Sequence, residues 1–194
     1  SCSHGRTAAA AAAAEPGAEG TVTGIDFCPH ARDLFLVGRD DGSLCVYNLH
    51  CDSPLLRFDE LSLAPLRSVL WSRSRAGVFW AVDAANVLFA FDLFRKMHEP
   101  VLRQPLDSIA GDVPGDGDGA EARPVRVLAA SLSPHHARSG RQGGAPPVLA
   151  LALSDGQVSL HALQDEYGAR PSKAAEEARA DWRRKLRELE TFAA

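Results

Sequence analysis

The chain has 194 residues, of which 45% are apolar and 24% charged, and its formal net charge is −4. These proportions are typical of a globular protein rather than of a disordered or fibrous one. A net negative charge provides no basic field, so we expect no nucleic-acid partner. We also expect no membrane insertion, because no apolar run reaches the roughly 18 residues that a transmembrane helix needs.

The number and spacing of the cysteines indicate the redox environment in which the protein folds. The four cysteines, at positions 2, 28, 45 and 51, form no Cys-x-x-Cys pair, and the chain does not begin with a signal-peptide pattern. Cys28 and Cys45 fall on predicted strands, where a free cysteine behaves as a small apolar residue. We therefore expect a reducing compartment, the cytoplasm, and no disulfide framework.

Residues 1–20 are mainly Ala, Gly and Glu, and they include an uninterrupted alanine run from Ala8 to Ala14. Alanine favours helix, but an isolated helix of this length is not stable in water. We predict that residues 1–20 form a disordered linker.

Residues 21–164 contain one pattern of strands and turns in three copies. Equivalent positions in the first two copies, such as Phe27 and Trp71 or Gly42 and Asn86, are 44 residues apart. A period in the forties with several short strands per unit is typical of β-propeller blades. A blade is a packing unit without catalytic groups of its own, so the repeat favours a binding scaffold over an enzyme.

The predicted blades span residues 21–60, 64–106 and 124–164. We predict an all-β fold, a partial propeller of about three four-stranded antiparallel blades with the last one incomplete. Closed propellers have about four to eight blades, so we expect a C-terminal part of a longer protein or a truncated gene product. The predicted strands are 21–27, 34–37, 43–49, 54–58, 66–72, 78–82, 86–92, 101–106, 125–132, 148–153 and 157–163. The residues expected in the core are Leu36, Val37, Val46, Trp71, Phe79, Ala81, Leu88, Phe89, Leu151 and Leu160.

The third copy is lengthened by two Gly-rich insertions, 107–123 and 135–147, which we predict to be flexible loops. A calcium loop beginning at Asp112 would need a bidentate Glu where Arg123 stands. The histidine pair 135–136 has arginines nearby and no other metal-ligand side chain. We therefore predict no metal site in either insertion.

Catalytic motifs are absent from the sequence. It contains no phosphate-binding Gly-rich loop with Lys, no nucleophile elbow and no zinc-protease His pair. His161 lies on a predicted strand, and we expect it to be partly buried and hydrogen-bonded rather than a catalytic base. The sequence predicts no catalytic residue and no cofactor, so we expect that the protein is not an enzyme.

Residues 171–193 are predicted to form an amphipathic helix that begins after Ser172, a favourable N-cap. Its apolar face consists of Ala175, Ala178, Trp182, Leu186 and Leu189, which recur every three or four residues. Two interpretations remain: the helix folds back on its own last blade, or it docks another chain. Under the second, Trp182, Leu186 and Leu189 are the candidate partner-binding residues, because Trp is a common anchor at interfaces.

The order of elements resembles the WD-repeat family, whose blades close on a Trp-Asp dipeptide. The corresponding dipeptides here are Tyr47-Asn48, Phe91-Asp92 and His161-Ala162, so only Asp92 retains the family acid. The family's Gly-His pair is not recognisable in any copy.

Within that family, several segments resemble the C-terminal propeller of dynein intermediate chains. In the first blade they are Val22-Thr23-Gly24-Ile25-Asp26-Phe27-Cys28-Pro29, Asp33-Leu34-Phe35-Leu36-Val37-Gly38 and Asp40-Asp41-Gly42-Ser43-Leu44. In the second blade they are Val69-Leu70-Trp71-Ser72, Val78-Phe79 and Phe91-Asp92-Leu93. The diverged last blade is similar to that of the intermediate chain of dynein-2, the motor of retrograde intraflagellar transport. One departure is Ala76, where the family often has Pro. The resemblance covers residues 21–163 and does not include the helix or the insertions.

The resemblance implies a non-catalytic scaffold subunit of a dynein motor complex. Its propeller would bind the dynein heavy chain. Other dynein intermediate and light chains are the further implied partners, with the light-chain sites in an N-terminal region that is not part of this sequence. The implied setting is the cytoplasm, cytoskeleton and cilium, in retrograde intraflagellar transport and cilium assembly. The alternative is an unrelated WD-repeat protein-interaction adaptor.

Overall fold

The computed structural model describes residues 20–106, 112–113, 123–133, 147–163 and 175–192. The strands are β1 (Val22–Phe27), β2 (Leu34–Arg39), β3 (Leu44–Asn48), β4 (Leu56–Phe58), β5 (Leu66–Trp71), β6 (Val78–Asp83), β7 (Val87–Asp92), β8 (Leu102–Pro105), β9 (Asp112–Val113), β10 (Arg123–Pro124), β11 (Val127–Leu132), β12 (Val148–Leu153) and β13 (Val158–Ala162). The helix is α1 (Ala175–Phe192).

Consecutive strands pair antiparallel to form three sheets. Sheet 1 has the order β1-β2-β3-β4, sheet 2 the order β5-β6-β7-β8, and sheet 3 the order β11-β12-β13. The all-β class with a C-terminal helix is thus confirmed, and the sheets are consistent with blades of a partial propeller. β9 and β10 form a separate two-stranded ribbon within a segment for which the sequence predicted only a loop.

The three sheets share one strand register. The first strand of each sheet carries an irregularity at an equivalent place, after Val22, Leu66 and Val127. Gly42, Asn86 and Gly156 have φ angles of 81°, 62° and 83°, and each occupies the turn between the second and third strand of its sheet. The 44-residue period therefore reflects an equivalence of backbone conformation.

Asn86 holds the left-handed turn where the other two sheets use Gly. Its side-chain amide donates to the carbonyl oxygen of Val125 at 2.8 Å, and its Oδ1 accepts from the amide of Val127 at 2.9 Å. Asn tolerates a positive φ better than most residues with a side chain. This turn therefore ties sheet 2 to the first strand of sheet 3.

Sheet 2 lies between the other two sheets and is buried on both faces. One face carries Trp71, Phe79 and Phe91 and packs on sheet 1, with Phe58 of sheet 1 centred 4.7 Å from the Phe91 ring. The opposite face includes Trp80 and packs on sheet 3. Because successive residues of a strand point to opposite faces, β6 contributes to both apolar clusters.

Nine of the ten residues expected in the core are buried, and Leu160 is the exception. Leu160 is 68% exposed, so the prediction for this residue is wrong. It lies on the outer face of sheet 3, which no described element covers. The apolar pattern of β13 matches that of the other third strands, but burial also needs a neighbouring sheet.

Candidate protein-interaction site

The C-terminal helix α1 packs on sheet 2 through its apolar face. The Trp182 ring is centred 6.4 Å from that of Trp71 and 6.0 Å from that of Phe94. Trp182 and Leu189 are buried in the cluster between sheets 1 and 2, and Leu186 packs against the same cluster. Of the two interpretations of the helix, the structure agrees with the one in which the helix folds back on its own sheets. The helix packs on sheet 2, however, and not on the last sheet.

The lack of a side chain at Gly77 allows the helix to approach the sheet closely. Gly77 has a φ of 77°, and a Cβ there would lie 2.9 Å from the Phe94 ring and 3.2 Å from the Trp182 ring. Next to it, a guanidinium nitrogen of Arg75 contacts Oδ2 of the buried Asp92 at 2.9 Å. Asp92 therefore supports the chain segment around Gly77 that contacts Trp182.

The candidate partner-binding residues Trp182, Leu186 and Leu189 face sheet 2 in this conformation. A partner would reach their side chains only if the helix left the sheet. The exposed surface of α1 is instead charged, with Arg183, Arg184 and Arg187 in solvent. A shallow open depression there is lined by Arg184, Arg187, Glu188 and Thr191.

Buried carboxylates in the described residues serve turns rather than a reaction centre. Asp83 accepts hydrogen bonds from the Ser62 hydroxyl at 2.5 Å and from the amides of Ala85 and Val87 at 2.9 and 2.8 Å. Asp92 accepts from the Phe94 amide at 3.0 Å. A carboxylate that accepts from several donors holds the backbone around it.

The described Cys and His side chains occupy structural positions. Burial raises the pKa of the Cys28 thiol from 9.0 to about 12, which keeps it protonated and unreactive at neutral pH. His161 is half-buried, and its Nε2 lies 2.8 Å from the Ser159 hydroxyl oxygen, as a hydrogen-bonded strand residue. Among the described residues no three His, Cys, Asp or Glu side chains group to hold a metal ion. The histidine pair 135–136 lies outside the described residues.

Two outer sheet faces carry apolar side chains that the sequence reasoning missed. On sheet 1, Phe27 is 51% exposed, and Phe35 lies 5.5 Å from both the Phe27 and the Tyr47 ring centroids. On sheet 3, Val158 and Leu160 are exposed. Exposed apolar patches on a folded protein mark interaction surfaces. The continuous apolar run of β2 was the available signal, since it predicts a strand covered on both faces.

In the part of the chain that the structure describes, no helix is long and apolar enough to cross a membrane. Cys28, Cys45 and Cys51 are free thiols.

Comparison with known proteins gives two similar curated sequences. Mouse cytoplasmic dynein 2 intermediate chain 1 is 33% identical over 83 residues, which are 42% of this chain and 8% of that protein. The human protein of the same name is 26% identical over 146 residues, 75% of this chain and 12% of that protein. The chain thus spans only a small part of these relatives. No protein-family model matches it, so the WD-repeat type is not confirmed. The similarity supports the resemblance to dynein intermediate chains.

Proposed function

We propose that this protein is a non-catalytic scaffold subunit of a dynein motor complex, related to the dynein-2 intermediate chain. The observation that carries the proposal is a similarity to one dynein intermediate chain over 75% of the chain. An alignment of 146 residues must include most of the three-sheet repeat, so the similarity extends beyond a single blade. Retrograde intraflagellar transport and cilium assembly follow as the proposed process.

The proposed partners are the dynein heavy chain and the other dynein intermediate and light chains, in the cytoplasm, cytoskeleton and cilium. The physical support is that the residues which the structure describes offer apolar and charged contact surfaces and do not group into a reaction centre. The buried carboxylates Asp83 and Asp92 are hydrogen-bonded at turns, the buried Cys28 thiol is protonated, and the outer sheet faces carry apolar side chains. Such surfaces are suited to binding protein rather than to converting a substrate.

We propose that α1 contributes to partner binding in two layers. Trp182, Leu186 and Leu189 fix the helix on sheet 2 and set its orientation. The arginines on its outer side then contact an acidic surface of the partner, because guanidinium groups pair well with carboxylates. Loss of the inner contacts would therefore disturb partner binding indirectly.

Co-purification from ciliated cells tests the proposal. The tagged full chain is expected to recover a dynein heavy chain, with the dynein-2 heavy chain in excess over that of cytoplasmic dynein 1. Recovery of a ubiquitin ligase or a chromatin complex without any dynein chain would instead support the unrelated adaptor. Enrichment of the dynein-1 heavy chain would support the role as a dynein scaffold subunit but would contradict the role in the cilium.

A matched pair of triple variants tests the helix. Changing Arg183, Arg184 and Arg187 to Glu is expected to reduce heavy-chain recovery at least about fivefold, since each charge is reversed at the proposed contact. The control changes three exposed arginines away from the helix, Arg32, Arg67 and Arg126, to Glu. Both variants alter net charge equally. An equal loss in both would show that total charge, and not the helix, determines recovery.

A further inference from the structure

Serine followed directly by proline occurs twice in the chain, at Ser53-Pro54 and at Ser133-Pro134. One class of protein kinases selects this dipeptide, because a pocket beside the kinase active site accepts the proline ring. The sequence does not distinguish the two serines. The structure does, since it gives their hydroxyl groups different surroundings.

Ser53 lies in the connection between β3 and β4, whose two ends are fixed. At one end the Cys51 amide donates to the Asn48 carbonyl oxygen at 3.1 Å. At the other end the Leu55 amide donates to the Val46 carbonyl oxygen at 2.8 Å. Between them Ser53 is exposed, and its hydroxyl group has no hydrogen bond to any residue that the structure describes. A kinase can therefore reach the hydroxyl oxygen without unfolding the loop.

Pro54 also restricts the backbone of Ser53. The ring of a proline disfavours the helical region for the residue before it, which leaves the extended and polyproline conformations. A segment that is already extended loses little conformational freedom when it enters a binding groove. The dipeptide is thus prepared for an active site that binds an extended substrate.

The connection between β7 and β8 in sheet 2 is the equivalent of this loop. The Val101 amide donates to the Ala90 carbonyl oxygen at 2.8 Å, a bond equivalent to that of the Leu55 amide. The residues directly before these two amides are Pro100 and Pro54, so the two prolines correspond. The residue before each proline therefore has the same position in the two sheets.

Sheet 2 has Glu99 at the position of Ser53. Glu99 is exposed although sheet 2 has a neighbouring sheet on each face, so exposure of this position does not depend on what lies beside sheet 1. Its carboxylate oxygen lies 2.7 Å from the Lys96 ammonium nitrogen, three residues earlier. The residue three before Ser53 is His50, which is also exposed. The position therefore accommodates a negative charge in solvent, and a phosphoserine would bring a similar charge.

Ser133 is held in a different way. Its hydroxyl oxygen accepts from the Val148 amide at 2.8 Å, and its own amide donates to the Val148 carbonyl oxygen at 2.8 Å. The residue is half-buried. A phosphoryl group on this oxygen would crowd the Val148 amide at the start of β12, so modification of Ser133 would disturb the sheet.

We propose that Ser53 is a phosphorylation site for a proline-directed serine/threonine kinase. The Ser53 hydroxyl oxygen attacks the γ-phosphorus of Mg-ATP, and the new O–P bond forms as the bond from that phosphorus to the bridging oxygen breaks. ADP leaves with the electron pair of the broken bond, and the hydroxyl proton passes to the catalytic carboxylate of the kinase. The inference goes beyond the proposed function and does not depend on it.

The phosphate would change the charge at the end of the sheets where α1 lies. Phe94, whose ring contacts that of Trp182, is in the β7–β8 connection, and Ser53 is in the equivalent connection of sheet 1. A phosphoserine carries a charge of about −1.5 to −2 at neutral pH. Modification of Ser53 therefore adds negative charge to the same end of the molecule as α1.

Phosphorylation of the folded full chain is the test. A purified mitogen-activated kinase, which is proline-directed, is expected to add one phosphate from Mg-ATP, and peptide mass spectrometry should place it on Ser53. Ser53→Ala should abolish the incorporation. Pro54→Ala should reduce it at least about tenfold, because the kinase pocket loses the proline ring. Ser133→Ala is the matched control and should leave the incorporation unchanged.

Three results would overturn the proposal. They are phosphate on Ser133 in preference to Ser53, undiminished incorporation in Ser53→Ala, and no incorporation while the same kinase phosphorylates a standard substrate in parallel. Far-ultraviolet circular dichroism verifies that every variant keeps its fold.

Glutamate substitutions test separately whether the position tolerates the charge. Ser53→Glu reproduces the residue of sheet 2 and should leave the melting temperature within about 2 °C of the original chain. Ser133→Glu loses the bond from the Val148 amide and should lower it by at least about 4 °C. An equal fall in both variants would show that the Ser53 position does not accept a phosphate, contrary to the proposal.

Discussion

Replacing Trp182 measures how firmly α1 is held on sheet 2. The side chain is 4% exposed, and its indole Nε1 is buried without a hydrogen-bond partner among the described residues. Burial of a Trp removes about 150–250 Å² from water, which corresponds to about 4–6 kcal/mol at 25 cal/mol per Å². The unpaired N–H opposes this by about 1–3 kcal/mol. The net contribution is therefore about 3 kcal/mol.

Trp182→Ala is accordingly expected to lower the free energy of unfolding by about 3 kcal/mol. For a chain of this size the melting temperature should fall by about 6–12 °C. Trp182→Phe keeps a ring against Trp71 and Phe94 and removes the unpaired donor, so its cost should stay within about 1 kcal/mol. Urea denaturation followed by circular dichroism measures both without relying on Trp fluorescence.

Arg183→Ala is the control, since it changes the exposed side of the same turn and should have an effect within about 0.5 kcal/mol. If Trp182→Ala is no more destabilising than Arg183→Ala, the helix is not held by its apolar face. If Trp182→Phe costs as much as Trp182→Ala, the unpaired N–H does not carry the penalty assigned to it.

Three further predictions concern turns and burial. Gly42→Ala should destabilise more than Gly156→Ala in urea denaturation: both have positive φ, but the Cβ would meet a backbone oxygen at 1.8 Å at Gly42 and nothing within 4 Å at Gly156. Asn86→Ala should cost about 2–4 kcal/mol through two lost hydrogen bonds and a strained φ, while Asn86→Asp should recover part by still accepting from the Val127 amide. The folded-state pKa of Cys28 is raised to about 12, so the unfolded chain releases this proton first, and stability should decline as pH rises from about 9 towards 12. Cys28→Ala should reduce that decline in pH-dependent urea titrations, and the buried Cys45 thiol, whose pKa is also raised, accounts for part of the remainder.

Much of the fold was predictable because the repeat fixes register as well as strand number. Once Phe27 and Trp71 were aligned at 44 residues, the turns at Gly42 and Asn86 and most of the core followed. Strand ends shifted by a residue or two, since fraying at ends depends on the neighbouring loop.

The failures arose where burial depends on a distant element. Leu160 has the local pattern of a core residue, yet its face meets no described sheet. The apolar stripe of α1 was visible in the sequence, but its position on sheet 2 depends on a gap beside Gly77 that no periodicity encodes. The β9–β10 ribbon was missed because two-residue strands give no pattern to detect.

The helix contact also has a consequence for the order of synthesis. Trp182 and Leu189 complete an apolar cluster whose other fully buried members lie between Cys28 and Leu93. Trp182 is made 89 residues after Leu93. Translation adds about 5–20 residues per second, so roughly 4–18 s pass between the synthesis of Leu93 and that of Trp182. The helix cannot cover the nascent sheets during that interval. During translation this part of the core is exposed to aggregation and to chaperones, whatever its final stability.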